Sequence, residues 1–125
     1  MKKSNPVIYF EIPVNDLERA EKFYRNVFDF EFESEIIDNY EMVLLPFYDE
    51  EKGISGALAK GDVYKPSKKG VIIYFGTDDI EETLKKVIKQ QGKILYPIVK
   101  NEKYGFYVAE FENSEGNRIA LQQLE

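Results

Sequence analysis

The hydrophobic pattern of the chain repeats one order of elements twice. Apolar and mixed positions alternate over 7–14, which predicts a strand with one buried face. An apolar stripe with three- and four-residue spacing then predicts a helix over 16–28 that covers this face. The same alternation at 71–77 and the same stripe at 79–91 predict a second strand followed by a second helix.

Polar residues at the start of each predicted helix have the spacing of a capping box. Asn15 with Glu18, and Asp78 with Glu81, place a short acceptor three positions before a glutamate. Gly92 is predicted to be the C-cap of the second helix. The positions predicted to face the sheets are Leu17, Ala20, Phe23, Tyr24 and Val27 in the first helix and Ile80, Leu84, Val87 and Ile88 in the second.

Three further strands are predicted after each helix, separated by turn residues. They span 29–37, 40–47 and 54–60 in the first half, and 93–99, 104–111 and 117–123 in the second. Gly, Pro and Lys residues over 61–69 indicate an exposed linker. We therefore expect one α+β domain of two tandem βαβββ modules, 7–60 and 70–123.

An ungapped register connects the two modules and indicates internal duplication. The offset that separates Gly53 from Gly116 also separates Ala57-Leu58 from Ala120-Leu121. Two amphipathic segments that were similar only by chance would not keep one offset through strands, turns and helices.

Composition excludes several kinds of chemistry. The chain has 125 residues with no histidine and no cysteine, so disulfides, thiolate metal sites and the commonest general base near neutral pH are absent. The net charge of −6 disfavours nucleic-acid binding and favours a basic ligand. No apolar run reaches the roughly 18 residues of a membrane span, and no secretory signal follows the first residues. A cytoplasmic location without membrane or nucleic-acid partners is expected.

Three segments carry a resemblance to a known family: PVNDLERAEKFYRNVFDFEF, DDIEETLKKVIKQQGKILYP and ENSEGNRIALQQ. Together they resemble the vicinal oxygen chelate superfamily, which includes glyoxalase I, bleomycin-resistance proteins, fosfomycin-resistance enzymes, extradiol dioxygenases and methylmalonyl-CoA epimerase. The resemblance implies paired βαβββ modules whose curved mixed sheet surrounds a cleft, a small-molecule ligand and a homodimer.

In metal-dependent members of this superfamily, the first and last strands of each module supply the metal ligands. Carried over by register, these positions are Tyr9, Ala57, Ile72 and Ala120. Two alanines and an isoleucine have no donor atom, so we expect no metal at these positions. The alternative is a divalent metal at a displaced site formed by Glu11 with Glu110 or Gln122.

The residues expected to contact a ligand follow from the same register and from strand alternation, which puts Glu11 on the same face as Tyr9. They are Tyr9, Glu11, Ile72, Tyr74, Arg118, Ala120 and Gln122. Glu11 could instead pair with Arg118. The facing of Tyr104, Tyr107 and Glu110 is not decided by the sequence.

These residues leave three functional hypotheses. The first is a metal-independent binding protein, similar to bleomycin-resistance proteins, that sequesters a cationic or aromatic ligand on acidic and aromatic side chains. The second is an enzyme, a lyase, isomerase or dioxygenase, that uses a displaced metal or uses Glu11 as general base with Tyr74 as hydrogen-bond donor. The third is a structural or regulatory partner module.

Overall fold

A computed structural model describes residues 5–124 of the chain, and the side chains of residues 5–123. Its elements follow the predicted order of two βαβββ units. The first unit contains β1 (Phe10–Pro13), α1 (Leu17–Phe28), β2 (Glu33–Ile37), β3 (Tyr40–Leu44) and β4 (Gly56–Ala59). The second contains β5 (Ile73–Gly76), α2 (Ile80–Lys89), β6 (Lys93–Asn101), β7 (Phe106–Glu112) and β8 (Arg118–Leu124).

The strands form two four-stranded mixed sheets of the same design. The first sheet has the order β1-β4-β3-β2 and the second has the order β5-β8-β7-β6. In each sheet, the strand before the helix pairs in parallel with the last strand of its unit, and the other pairings are antiparallel. The predicted α+β class and the two tandem βαβββ units are therefore confirmed.

One hydrophobic core joins the two units on the helix-facing sides of the sheets. Ile12 and Leu58 of the first sheet lie in the same buried cluster as Leu121 of the second. The rings of Phe10 and Phe75 meet edge to face, with centroids 6.2 Å apart. The helices contribute Tyr24 and Val87 among other residues. Full burial of an aliphatic or aromatic side chain of this kind stabilises a fold by about 1.5–3 kcal/mol, so this shared core holds the two units together.

The helix N-caps lie one residue later than the sequence predicts. Asp16 caps α1 by accepting the N–H of Arg19 at 3.0 Å, and Asp79 caps α2 by accepting the N–H of Glu82 at 3.1 Å. Asn15 and Asp78, the predicted caps, precede them. Asn15 and Asp16 are both good capping residues, and so are Asp78 and Asp79, so local propensity could not choose the cap.

The end of α2 also differs from the prediction, because the C-cap is Gln90 and the left-handed residue is Gln91, at φ 69°. Gly92 has another role. A Cβ there would lie 2.6 Å from Cγ1 of Val87 and 2.9 Å from the carbonyl oxygen of Glu112. The glycine therefore permits close packing between α2 and the second sheet.

The predicted buried stripe of α1 is confirmed, since Leu17 packs against the core and the other four residues are buried. In α2 the prediction is wrong for Ile88, which is 57% exposed. Thr83 is buried instead, and its hydroxyl bonds the carbonyl oxygen of Asp79 at 2.9 Å. The buried stripe of α2 is thus rotated towards Thr83, which leaves Ile88 beyond the face shared by Ile80 and Leu84.

Several strands are shorter than the alternating pattern suggests. The first strand begins at Phe10 rather than at position 7, and β2 begins at Glu33 rather than at 29. Phe30 and Phe32 still pack against the core. Alternation therefore identified the inward side chains correctly even where no ladder of hydrogen bonds forms.

Candidate functional site

The face of the first sheet that points away from the helices carries the first group of predicted site residues. Glu11 pairs with Ala57, and Ala57 pairs with Leu44, so these three side chains form one row across β1, β4 and β3. Met42 and Ala59 form the neighbouring row. Because side chains alternate along a strand, Tyr9 shares this face with Glu11, as predicted.

The carboxylate of Glu11 accepts two phenolic hydroxyl groups. Tyr9 donates to Oε2 at 3.0 Å, and Tyr64 donates to Oε1 at 2.7 Å. The predicted alternative in which Glu11 pairs with Arg118 is wrong, because Arg118 forms its ion pair with Glu110 on the second sheet. No cationic side chain pairs with Glu11 among the residues whose side chains are described.

The environment of Glu11 keeps both tyrosines protonated. Burial, followed by the hydrogen bond and negative charge of Glu11, raises the pKa of Tyr9 to about 12. The hydrogen bond to Glu11 is the main cause that raises the pKa of Tyr64 to about 12. Both phenols are therefore donors at neutral pH, and the three side chains together carry the single negative charge of the carboxylate.

Tyr64 comes from the predicted linker and was not among the predicted site residues. Its side chain packs over Met42, Ala57 and Ala59, and its ring meets that of Tyr40 edge to face at 5.4 Å. A tyrosine within a Gly- and Pro-containing segment was the only sequence signal for this role. Periodicity could not identify it because the segment has no regular secondary structure.

A second carboxylate–tyrosine pair lies beside the first. Tyr40 donates its hydroxyl to Asp62 at 2.8 Å, and this hydrogen bond raises the pKa of Tyr40. We call Tyr9, Glu11, Tyr40, Asp62 and Tyr64 the tyrosine–carboxylate cluster. In it, each of the three phenols donates to a carboxylate.

The second group of predicted residues lies on the equivalent face of the second sheet. Tyr74 pairs with Ala120, and Ala120 pairs with Glu110, so β5, β8 and β7 present one row. The Arg118 guanidinium bonds Glu110 and lies 5.2 Å from the centroid of the Tyr96 ring. Gln122 is half-buried and pairs with Gly76 and with Val108 in the neighbouring row.

The structure also settles the facing of residues that the sequence left undecided. Glu110 lies on the same face as Tyr74 and Ala120. Tyr107 packs against the hydrophobic core, on the opposite side of the sheet. Tyr104 is exposed in the turn before β7 and stacks on Phe106. Of these three, only Glu110 belongs with the predicted site.

A sequence model of the glyoxalase/bleomycin resistance protein/dioxygenase superfamily matches residues 7–121. The chain belongs to this superfamily. It is 28% identical over 114 residues to a glyoxylase-like domain-containing protein from Didymella fabae, a match that covers 89% of this chain and 88% of the relative.

Solved structures of the glyoxalase superfamily share the fold. A glyoxalase I variant from Zea mays superposes with a TM-score of 0.70 at 21% identity, covering 94% of this chain and 46% of the maize chain. This chain thus spans about half the length of that relative. A glyoxalase/bleomycin resistance protein/dioxygenase family enzyme from Burkholderia phytofirmans superposes with a TM-score of 0.72 at 16% identity, covering 94% and 97% of the two chains.

The residues at the four positions that the register assigns to the superfamily metal ligands do not provide a metal donor set. Ala57 and Ala120 are fully buried, Ile72 has no donor atom, and the Tyr9 hydroxyl is hydrogen-bonded to Glu11. Within the described residues, no group of three or more His, Cys, Asp or Glu side chains could hold a metal ion. The displaced site fits poorly as well, since Glu11 and Glu110 lie on different sheets, each with partners of its own.

Within one chain, the predicted residues of the first sheet and those of the second sheet form two separate groups. Among the described side chains, no hydrogen bond or ion pair joins Tyr9 or Glu11 to Tyr74, Arg118 or Gln122. Tyr9 is 43% exposed and Tyr74 is 54% exposed. A cavity of about 370 Å³ lies elsewhere, between the two helices and Ser114.

Neither helix within residues 5–124 is long and apolar enough to cross a bilayer.

Proposed function

We propose that this superfamily member is a small-molecule-binding protein that holds a cationic, aromatic ligand at Glu11 without a metal. The observation that carries the proposal is the Glu11 carboxylate, which is flanked by the phenols of Tyr9 and Tyr64 and has no cationic partner among the described side chains. Acid beside aromatic rings suits a flat cation, because the charge and the ring faces attract it together. The net charge of −6 favours its approach.

Metal independence is part of the proposal and is supported by the side chains at the superfamily positions. Chelation of two vicinal oxygens requires a bound Lewis acid, and Ala57, Ile72 and Ala120 cannot coordinate one. The ligand would therefore be recognised by charge, hydrogen bonds and ring contacts.

The proposal can be tested by measuring the binding of a panel of cationic aromatic compounds by calorimetry. We expect Glu11→Gln to weaken binding of the best compound at least tenfold, because close charge pairs across an interface couple by about 1.5 kcal/mol or more. Glu102→Gln, in the exposed turn between β6 and β7, is the matched control and should bind like the wild type. Equal binding by the two variants would refute the role of Glu11.

A second copy of the chain is proposed to complete the cleft. The exposed aromatic faces around Tyr9 and Tyr74 support this arrangement, since each face presents half of the expected pocket. In a dimer with two-fold symmetry, the first sheet of one copy could cover the second sheet of the other. Sedimentation equilibrium should give a dimer mass, and Tyr74→Arg should shift the population towards monomer. A monomer at every concentration would exclude this part of the proposal.

The enzyme hypothesis has one structural observation in its favour, namely a carboxylate and phenol donors on one open face. For Glu11 to accept a proton from a substrate, the substrate would have to reach a lone pair that the two phenol bonds leave free. Metal analysis of protein purified without chelators separates the alternatives. A stoichiometric divalent ion would favour a metal-dependent lyase, isomerase or dioxygenase at a displaced site.

A further inference from the structure

The cavity of about 370 Å³ between α1, α2 and the turn before β8 is lined by none of the residues of the tyrosine–carboxylate cluster. Arg19 and Lys22 of α1 and Lys89 of α2 line it, and no acidic residue does within the described part of the chain. A cavity of about 150 Å³ can hold benzene, so this one has room for a small organic molecule. A cleft lined by one sign of charge attracts the opposite sign, although the whole chain has a net charge of −6.

One of these three cations is held in place by a buried carboxylate. Arg19 donates from Nε to Oε2 of Glu115 at 2.7 Å and from Nη2 to Oε1 at 2.9 Å. The Glu115 side chain has no exposed surface, whereas the Arg19 side chain is 54% exposed. A guanidinium has five N–H donors, so these two bonds leave others for a ligand. The charges of Arg19 and Glu115 cancel, and the positive charge that remains at the cavity therefore comes from its two lysines.

Lys22 and Lys89 carry this uncompensated charge. Both are exposed, and neither forms an ion pair with a described side chain. One turn before Lys89 the helix carries Lys85 and Lys86, so no acid precedes it at helical spacing. Lys22 has Glu18 at this spacing, but the two side chains do not form an ion pair. Two positive charges are therefore available to a ligand.

The C-terminus of α2 also borders the cavity, and the partial negative charge of a helix C-terminus opposes an anion. Here the carbonyl oxygens of residues 86–88 already accept the backbone N–H groups of residues 90–92, at 2.8–3.0 Å. The side-chain oxygen of Gln90 accepts Nδ2 of Asn26 at 3.0 Å, which leaves the NH₂ group of Gln90 free to donate. The end of α2 thus adds a neutral donor to the cations.

Phe23 supplies an apolar edge to the same cavity. It is 2% exposed, and a Cβ at Gly92 would lie 3.2 Å from its Cε2, so the ring packs closely on the glycine. A ligand with an organic group beside its charge would meet both cationic and apolar surface here.

We propose that this cavity binds a small organic dianion of the phosphomonoester type. A phosphomonoester carries close to two negative charges above its second pKa of about 6, which matches the two lysines, and its oxygens are strong acceptors. Both guanidinium and ammonium groups are well suited to bind phosphate. The lining comes from both βαβββ units, so a bound dianion would connect them. The proposal is independent of the ligand at Glu11, which lies on the opposite side of the first sheet.

Phenyl phosphate and phenyl sulfate test it, because they share a shape but carry two negative charges and one at about pH 8. Each is titrated into the full chain and followed by NMR of the backbone amides, at about 0.15 M salt, where the Debye length is about 8 Å. We expect phenyl phosphate to shift the amides of residues 19–23, 89–91 and 114. It should bind about three- to fivefold more tightly than phenyl sulfate, the effect of one more exposed ion pair. It should also raise the unfolding temperature, since it binds only the folded state.

Lys22→Gln and Lys89→Gln should each weaken the binding of phenyl phosphate about two- to fivefold, and the double variant should bind both probes equally. Lys85→Gln is the matched control, because it removes the same charge from an exposed position of α2 that does not line the cavity. It is also the counterpart of Lys22 in the repeat register. All three positions are exposed, so the variants should fold.

Three results would overturn the proposal. They are the absence of amide shifts with phenyl phosphate, equal binding of the two probes by the wild type, and an equal loss of binding in Lys22→Gln and Lys85→Gln.

Discussion

Glu115, in the turn before β8, bonds the guanidinium of Arg19 on α1, with Oε2 2.7 Å from Nε and Oε1 2.9 Å from Nη2. The same carboxylate accepts the backbone N–H groups of Asn15 and Asp16 at 2.8 and 2.9 Å. A side chain of the second unit thus satisfies donors at the start of the first helix. Two further bonds join the units here, a buried one from Asn113 to the Tyr24 hydroxyl and a partly buried one from Asn117 to the carbonyl oxygen of Pro13.

Glu115→Gln should lower the free energy of unfolding by about 1–3 kcal/mol, because hydrogen bonds to a charged acceptor are lost while the donors around it stay partly buried. Urea unfolding followed by circular dichroism measures the change. Glu102→Gln, at an exposed turn, is the control and should differ from the wild type by less than about 0.5 kcal/mol. If the two variants were equally stable, Glu115 would not couple the two units.

Acid should remove the contribution of Glu115 to the free energy of unfolding. Burial by itself raises the pKa of this carboxyl, but the hydrogen bonds from Arg19 and from the two backbone amides outweigh it, and the pKa lies below its ordinary 4.5. The unfolded state therefore binds a proton first as pH falls. The stabilisation is present above pH 4.5 and is lost as pH falls through the lowered pKa. Urea titrations at several acidic pH values should show the wild type and Glu115→Gln converging in stability.

Alkaline titration should reveal the tyrosines that surround Glu11. The pKa of Tyr9 and that of Tyr64 are both raised to about 12, so the folded state keeps two protons that the unfolded state releases near pH 10. Their contribution to stability is complete below pH 10 and decreases as pH rises towards 12. Ultraviolet absorbance of tyrosinate should show late-ionising groups in the wild type, and Tyr64→Phe should remove one of them.

Glu11→Gln gives the complementary result. It should move the late ionisation of Tyr64 towards its ordinary pKa, since the bond to Glu11 is its main cause. The ionisation of Tyr9 should move less, because burial is the largest cause there. Glu110→Gln, a carboxylate on the other sheet, should leave both unchanged. An unchanged titration in Glu11→Gln would contradict the hydrogen-bonded cluster.

Gly56→Ala tests the packing of β1 on β4. A Cβ at Gly56 would lie 2.1 Å from the backbone oxygen of Phe10 and 2.7 Å from its ring, so the parallel pair would have to separate. We expect a loss of about 1–3 kcal/mol in the free energy of unfolding, which is typical of overpacking. Gly76→Ala is the matched control in β5, because a Cβ there meets nothing within 4 Å. Equal stability of the two variants would show that β1 can shift without penalty.

Local periodicity predicted which sides of the strands and helices are buried, with Ile88 of α2 as an exception. Ile12 and Val14 are buried and Tyr9 lies opposite them with Glu11, as alternation requires. The repeat register correctly placed Ala57 and Ala120 at equivalent positions, opposite Glu11 and Tyr74 in their sheets. These features depend on neighbours a few residues apart, so the sequence carries them directly.

The contacts that define the candidate site depend on distant partners. Tyr64 meets Glu11 across 53 residues, and Glu115 meets Asn15 across 100. Neither pairing has a period, and each depends on how the chain crosses between the sheets. The helix caps show the same limit, because Asn15 and Asp16 are equally suited to capping and the structure places Asp16 at the cap. The sequence by itself thus determined the duplicated βαβββ pattern and the faces of its elements, whereas the tertiary structure decided which side chains surround Glu11.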